Sequence, residues 1–375
     1  MRLSVIIYQA ISLLLFAATL HGGEISIPTL KASFKDKFYV GAAINEWQFR
    51  ERKQRTLALV DQQFNSISPE NSLKWSRFNP KPGVYRYAAP DAFVEFGHKN
   101  KMHVVGHVLF WHSQTPEWVF QDKSGQPLNR EQLLKRMRER VRHLAERYGK
   151  KIHAWDVVNE SILDNGKQRD SQWTKIIGKD FIEQAFRIAA EELPEGVELL
   201  YNDYSMTESR KRDAVVRMIA ELKRKNIRID GIGMQAHWAI GGPSIAEIEA
   251  SIVAYSEAGV AVHITELDID VLPRKGDMWD ADVAKRLERD ASMDPYSDGL
   301  PEAKQQQLAK RYADLFQLFL KHKDKIKRVT FWGATDKYSW LNNWPIKGRT
   351  SYPLLFDRNG KPKPAFRSVV GLKDK

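Results

Sequence analysis

Apolar runs of strand length alternate with amphipathic helical stretches along most of the chain. Eight runs rich in Val, Ile and aromatic residues predict strands over residues 38–44, 64–68, 103–110, 152–158, 198–202, 231–236, 260–265 and 328–332. Between them the apolar residues take up helical spacing, as in Leu133, Met137, Val141 and Leu144, which leaves one apolar stripe per helix. Continuous apolar strands alternating with one-sided helices are the signature of βα units around a parallel sheet. Eight such units, in one stretch without a linker or repeat, predict a single-domain (β/α)8 TIM barrel.

The residues that end the predicted strands add a second pattern. They are Asn45; Glu70 with Asn71; His107 with Trp111; Asn159 with Glu160; Asn202 with Asp203; Gln235 with His237; Glu266; and Trp332. In a barrel these carboxyl ends converge on one face, where active sites of the fold lie, so residues far apart in sequence are expected to line one cleft. Two of the ends are costly. Trp155 to Glu160 and Val262 to Asp268 each run an apolar β-type stretch straight into a glutamate, and buried strand ends seldom carry a carboxylate without a use for it. Two glutamates on different strands of one sheet suit glycoside hydrolysis, which needs an acid for the departing oxygen and a carboxylate for the anomeric carbon.

Other side chains fit a sugar cleft. Trp111, Trp332 and Trp340 offer flat apolar faces to the C–H faces of pyranose rings. Asn45, Asn71, Lys74, Gln114, Asn159, Gln235 and His237 offer hydrogen bonds to hydroxyls. Taken singly, a Trp is more often core than platform and a Lys more often surface than ligand. His103, His107 and His112 do not gather three imidazoles as metal ligands, because alternation along a strand puts His112 on the face opposite the other two and the span is long, and no Gly-x-Ser-x-Gly elbow is present. Neither a metal nor another cofactor is expected.

Composition narrows the setting. Residues 1–23 read as a secretory leader, with Arg2, a largely apolar run and then a switch to mixed polarity at Glu24, which leaves residues 24–375 as the catalytic unit. A membrane anchor is the competing reading, but the run is short and broken by Ser4, Gln9 and Ser12. With no cysteine there is no disulfide frame and no thiolate chemistry. The net charge of +12 is scattered over helices and lacks any nucleic-acid reader motif, so solvated helix faces explain it best and nucleic acid is not expected as a partner. A secreted monomer without stable membrane association is the expectation.

Taken together, these segments resemble glycoside hydrolase family 10, the endo-β-1,4-xylanase family. The resemblance rests on Gly41 to Asn45, Ser68 to Trp75, Gly106 to Gln114, Trp155 to Glu160, Tyr201 to Tyr204, Gly233 to His237, Ile264 to Asp268, Phe331 to Gly333, Ser339-Trp340 and Tyr352 to Asp357, all in family order. It implies Glu160 as acid/base and Glu266 as nucleophile of a retaining reaction on xylan and xylo-oligosaccharides. It further implies that His107 and Asn159 hold the sugar next to the cleaved bond, and that His237, steadied by Asp268, bonds Glu266. Glu70, Asn71, Lys74, Gln114 and Trp340 would line the glycone side, and Trp111 and Trp332 would wall the reacting ring. A β-1,4-glucanase on the same barrel, a silent sugar-binding barrel and a metal-dependent hydrolase are the competing readings.

Overall fold

The computed structural model describes residues 28–51, 54–274, 286–288 and 290–372; the expected leader lies outside them. Eight parallel strands close on themselves. They are β1 (Tyr39–Ile44), β2 (Ser66–Pro69), β3 (His103–Gly106), β4 (Ala154–Asn159), β5 (Glu198–Asp203), β6 (Gly231–Met234), β7 (Ala261–Asp270) and β8 (Ile326–Phe331). Each pairs with the next in chain order, and β8 pairs back onto β1 with Tyr39 opposite Arg328 and Ala42 opposite Phe331. The expected (β/α)8 barrel is therefore present, and the main apolar core lies between the sheet and the outer helices.

Local chemistry explains why the helices sit as they do. The helix Arg130–Tyr148 starts at Asn129, whose side chain accepts from the Gln132 amide while Gln132 reaches back to the Asn129 amide, a reciprocal cap. Its buried stripe, Leu133, Met137, Arg140, Val141, Leu144 and Tyr148, turns toward the barrel. Arg140 is the exception in that stripe, a charge on an apolar face. It sits there because three backbone carbonyls need donors.

Two strands depart from the sequence expectation. The apolar run 103–110 predicts one strand, but β3 stops at Gly106, and only Phe110–Trp111 rejoins the sheet, beside Val158 and Asn159 of β4. Between these pieces the Val108 and Leu109 carbonyls leave the ladder and accept from Arg140 at 3.1 and 3.1 Å, and the same guanidinium bonds the Leu73 carbonyl at 2.9 Å. Burial pushes that guanidinium down to about 9, which leaves it charged at neutral pH. The seventh strand is longer than expected. It continues past Thr265 to Asp270 because a short segment, His237–Ala239, pairs with Asp268 to Asp270 above the barrel rim.

Arg140 thus replaces ladder hydrogen bonds that the chain gives up in order to place His107 and Trp111. Arg140→Met should leave those carbonyls without donors and cost about 3 kcal/mol of stability, measured as a lowered midpoint of urea denaturation.

Candidate active site

At the carboxyl end of the barrel one pocket is lined by Lys74, His107, Trp111, Asn159, Glu160, Gln235, His237, Glu266, Trp332 and Trp340. All ten are candidates from the sequence. Glu160 and Glu266 are 6 % and 5 % exposed, so both carboxyls are withdrawn from bulk water.

Glu160 follows the last residue of β4, where its backbone turns to φ +57°, a left-handed conformation that a side-chain-bearing residue adopts only when its surroundings enforce it. They do so from both sides. Its amide donates to the Asn202 carbonyl at 2.9 Å, and its carbonyl accepts from Arg169 Nε at 2.8 Å. Trp111 Nε1 donates to one carboxyl oxygen at 2.8 Å, while Gln235 Nε2 and Asn159 Nδ2 donate to the other at 3.0 and 3.1 Å. Burial raises its pKa, the Gln235 and Trp111 hydrogen bonds oppose the rise, and the charge of Glu266 adds to it; the net direction is upward.

Glu266 lies on β7 and is treated differently by its neighbours. Asn202 Nδ2 donates to its Oε1 at 2.7 Å, and His237 Nε2 meets its Oε2 at 3.1 Å. The other His237 nitrogen meets Asp268 Oδ1 at 3.1 Å, two residues along the same strand, and Asp268 Oδ2 accepts from Trp340 Nε1 at 2.7 Å. Burial disfavours a charged imidazole, but the two carboxylates outweigh it and lift His237 to about 9. A doubly protonated ring can donate to both carboxylates at once. Burial also pushes Glu266 up, yet the His237 hydrogen bond, the fields of His107 and His237 and the Asn202 amide together bring it below the ordinary glutamate value.

The two carboxyls are joined by amides. Asn202 Nδ2 also donates to Asn159 Oδ1 at 2.9 Å, and Gln235 Nε2 reaches that same oxygen at 3.3 Å. Thr265 Oγ1 donates to Asn202 Oδ1 at 2.6 Å, which fixes the carboxamide's orientation. Space for it comes from Gly233 on the adjacent strand, where a Cβ would fall 2.2 Å from Asn202 Oδ1.

Lys74 stands with its Nζ 5.0 Å from the Trp111 ring centroid and donates to Asn71 Oδ1 at 3.1 Å. Burial pulls its pKa down, against the raising effect of Glu266, Glu70 and Glu160. Asn71 and Asn45 each donate to Glu70 at 3.1 Å, so these three continue from Lys74 away from the pocket. His107 Nδ1 meets Asp156 Oδ2 at 2.8 Å, and the His107 and Trp332 rings meet edge to face at 5.4 Å. Gln114 is half-buried and does not line the pocket. In the sequence Asn202 stands out only as a strand end, with nothing to show its bond to Glu266. Arg169, from an aperiodic loop, had no signal in the sequence at all. Among the described residues no group of three or more His, Asp or Glu side chains is placed to hold a metal ion.

Comparison with known proteins places this geometry. The family described as glycosyl hydrolase family 10 matches residues 29–372. The chain belongs to that family. It is similar to endo-1,4-beta-xylanase A of Xylanibacter ruminicola, 42% identical over 345 residues that cover 92% of this chain and 93% of that protein. Its fold is similar to that of a family 10 endoxylanase retrieved from a sugarcane soil metagenome, with a TM-score of 0.89, 48% identity, and coverage of 92% of this chain and 100% of that one. A mutant solved in complex with xylotriose is also similar, with a TM-score of 0.81, 35% identity, and coverage of 92% and 99%.

The raised His237 pKa has a measurable consequence in this family 10 barrel. The group titrates higher in the folded state than its ordinary 6.5, so its contribution to stability is full below about pH 6.5 and is lost as pH rises through about 9. The stability difference between the protein and Asp268→Asn, followed by urea denaturation across that range, should be largest at the acid end and shrink toward the alkaline end. A difference that does not vary with pH would show that Asp268 does not set the charge of His237.

Proposed function

We propose that this protein is a secreted endo-β-1,4-xylanase that hydrolyses internal xylosidic bonds with retention, through a covalent glycosyl-enzyme. The observation that carries this reading is the opposite displacement of two buried carboxyls in one pocket, Glu160 upward and Glu266 downward. Environments that push paired titratable groups apart assign the acid and the base. The 42% identity to a relative named endo-1,4-beta-xylanase A supports xylan as substrate.

In this mechanism Glu160 enters protonated and Glu266 ionised. Glu266 attacks the anomeric carbon while Glu160 gives its proton to the departing glycosidic oxygen, so one C–O bond breaks as the ester C–O bond forms. Once Glu266 is esterified its charge is gone, and the electrostatic contribution that raised Glu160 goes with it. Glu160, now ionised and of lower pKa, takes a proton from water, whose oxygen displaces Glu266 and restores both starting forms. His237 stabilises Glu266 as an anion and orients its Oε2. Asn159 and His107 take hydroxyls of the reacting sugar, with Trp111 and Trp332 walling its ring, and Lys74, Asn71, Glu70, Gln114 and Trp340 line the glycone side for the next sugar. No cofactor enters any step.

Residues 1–23 act as the export leader in this reading, and residues 24–375 work as a monomeric catalytic barrel without stable membrane association. In support, no helix among the described residues is long and apolar enough to cross a membrane.

The first test is hydrolysis of soluble glucuronoxylan by the leaderless protein, with products sized by chromatography. Short xylo-oligosaccharides are expected, with a loss of at least about a thousandfold in kcat for Glu160→Ala and for Glu266→Ala. Full activity in either variant would overturn the catalytic assignment. A parent that leaves xylan intact but cuts a β-1,4-glucan would overturn the substrate.

The pH profile gives an independent check. An acid limb governed by the lowered Glu266 and an alkaline limb governed by the raised Glu160 should make kcat/KM bell-shaped, each limb belonging to the coupled pair. Trp111→Phe removes a donor that favours the Glu160 anion, so the alkaline limb should move to higher pH.

A further inference from the structure

Trp47 is the most exposed of the large hydrophobic side chains that stand out on the surface of the described residues, at 60 % of its area. Single exposed apolar residues are ordinary, so exposure alone assigns nothing. Its attachment is less ordinary. Asn45 Oδ1 accepts from the Trp47 amide at 3.1 Å and, through its Nδ2, Asn45 bonds Glu70. Glu70 in turn accepts from Asn71, and Asn71 accepts from Lys74, which lines the catalytic pocket. A hydrogen-bonded set of polar side chains therefore runs from Lys74 through Asn71 and Glu70 to Asn45, and the turn that Asn45 caps carries the exposed Trp47 at the carboxyl end of β1.

The ring is carried by a fixed element. Trp47 lies in the single turn Glu46–Phe49, closed by a reciprocal cap between Asn45 and Gln48. Gln48 is buried, and Phe49 meets the Phe96 ring edge to face at 6.0 Å. Those contacts hold the turn against the barrel and leave position 47 pointing outward. The Arg50 guanidinium, one turn on and itself exposed, lies over the indole, 5.2 Å from its centroid.

We propose that Trp47 is a stacking platform for a xylosyl unit beyond those taken by Lys74, Asn71 and Glu70, so that the glycone side of the cleft grips long chains better than short ones. Xylopyranose lacks a hydroxymethyl group and presents C–H faces that suit a flat indole, and the polar row before it supplies the hydroxyl contacts. The inference rests on the xylanase reading above, and the experiment separates the two.

The test compares kcat/KM for xylohexaose and xylotriose in the parent, Trp47→Ala and Trp47→Phe. Trp47→Ala should lower the hexaose-to-triose ratio by about fivefold, the size of a lost ring contact, and Trp47→Phe should restore most of it. An unchanged ratio, or an equal loss on both substrates, would overturn the platform while leaving the xylanase reading intact. Failure of the parent on both oligosaccharides would overturn the xylanase reading itself.

Discussion

Two carboxyl groups withdrawn from water in one pocket set the terms for everything around them. An uncompensated buried carboxylate costs several kcal/mol, and a second one nearby adds repulsion. The barrel rim answers this asymmetrically. Glu266 receives a cation, His237, and the Asn202 amide, and so keeps its charge cheaply. Glu160 receives neutral donors, Trp111, Gln235 and Asn159, which orient it without abolishing its tendency to hold a proton. The chemical difference between two identical side chains is thus made by their neighbours.

Those neighbours depend on departures from regular structure. The extension of β7 to Asp270 carries Asp268 onto the strand of Glu266, and the paired segment starting at His237 sets the imidazole between them. The break after Gly106 brings Trp111 beside Asn159, and Arg140 satisfies the carbonyls that the break exposes. The left-handed turn at Glu160 is clamped from the loop side by Arg169, which also bonds the Tyr204 hydroxyl at 2.7 Å. A regular eight-stranded barrel without these features would present the same residue types in the wrong directions.

Much of this was legible in the sequence, for a physical reason. Strands buried on both faces must be continuous apolar runs, so a polar residue at the end of one stands out, and each residue lining the pocket was already a candidate. What was hidden depends on partners distant along the chain. The run from His103 to Phe110 has no internal sign of a break, because the side chain that permits it, Arg140, is about thirty positions away and looks like an ordinary surface cation in a helical pattern. Asn202 could be seen at its strand end, but not as a donor to Glu266, since that role needs the empty space above Gly233 on the adjacent strand. Arg169 comes from a loop, where no periodicity marks which residues turn inward.

The chain of amides between the two glutamates has one further consequence. Asn202, Asn159 and Gln235 connect Glu266 to Glu160 through hydrogen bonds whose donors are all carboxamide N–H groups. Such groups neither release nor gain a proton at accessible pH. The chain can hold the carboxyls in register and transmit polarisation, yet along its length it is an insulator for protons. A proton on Glu160 has no short circuit through these amides to the anion of Glu266.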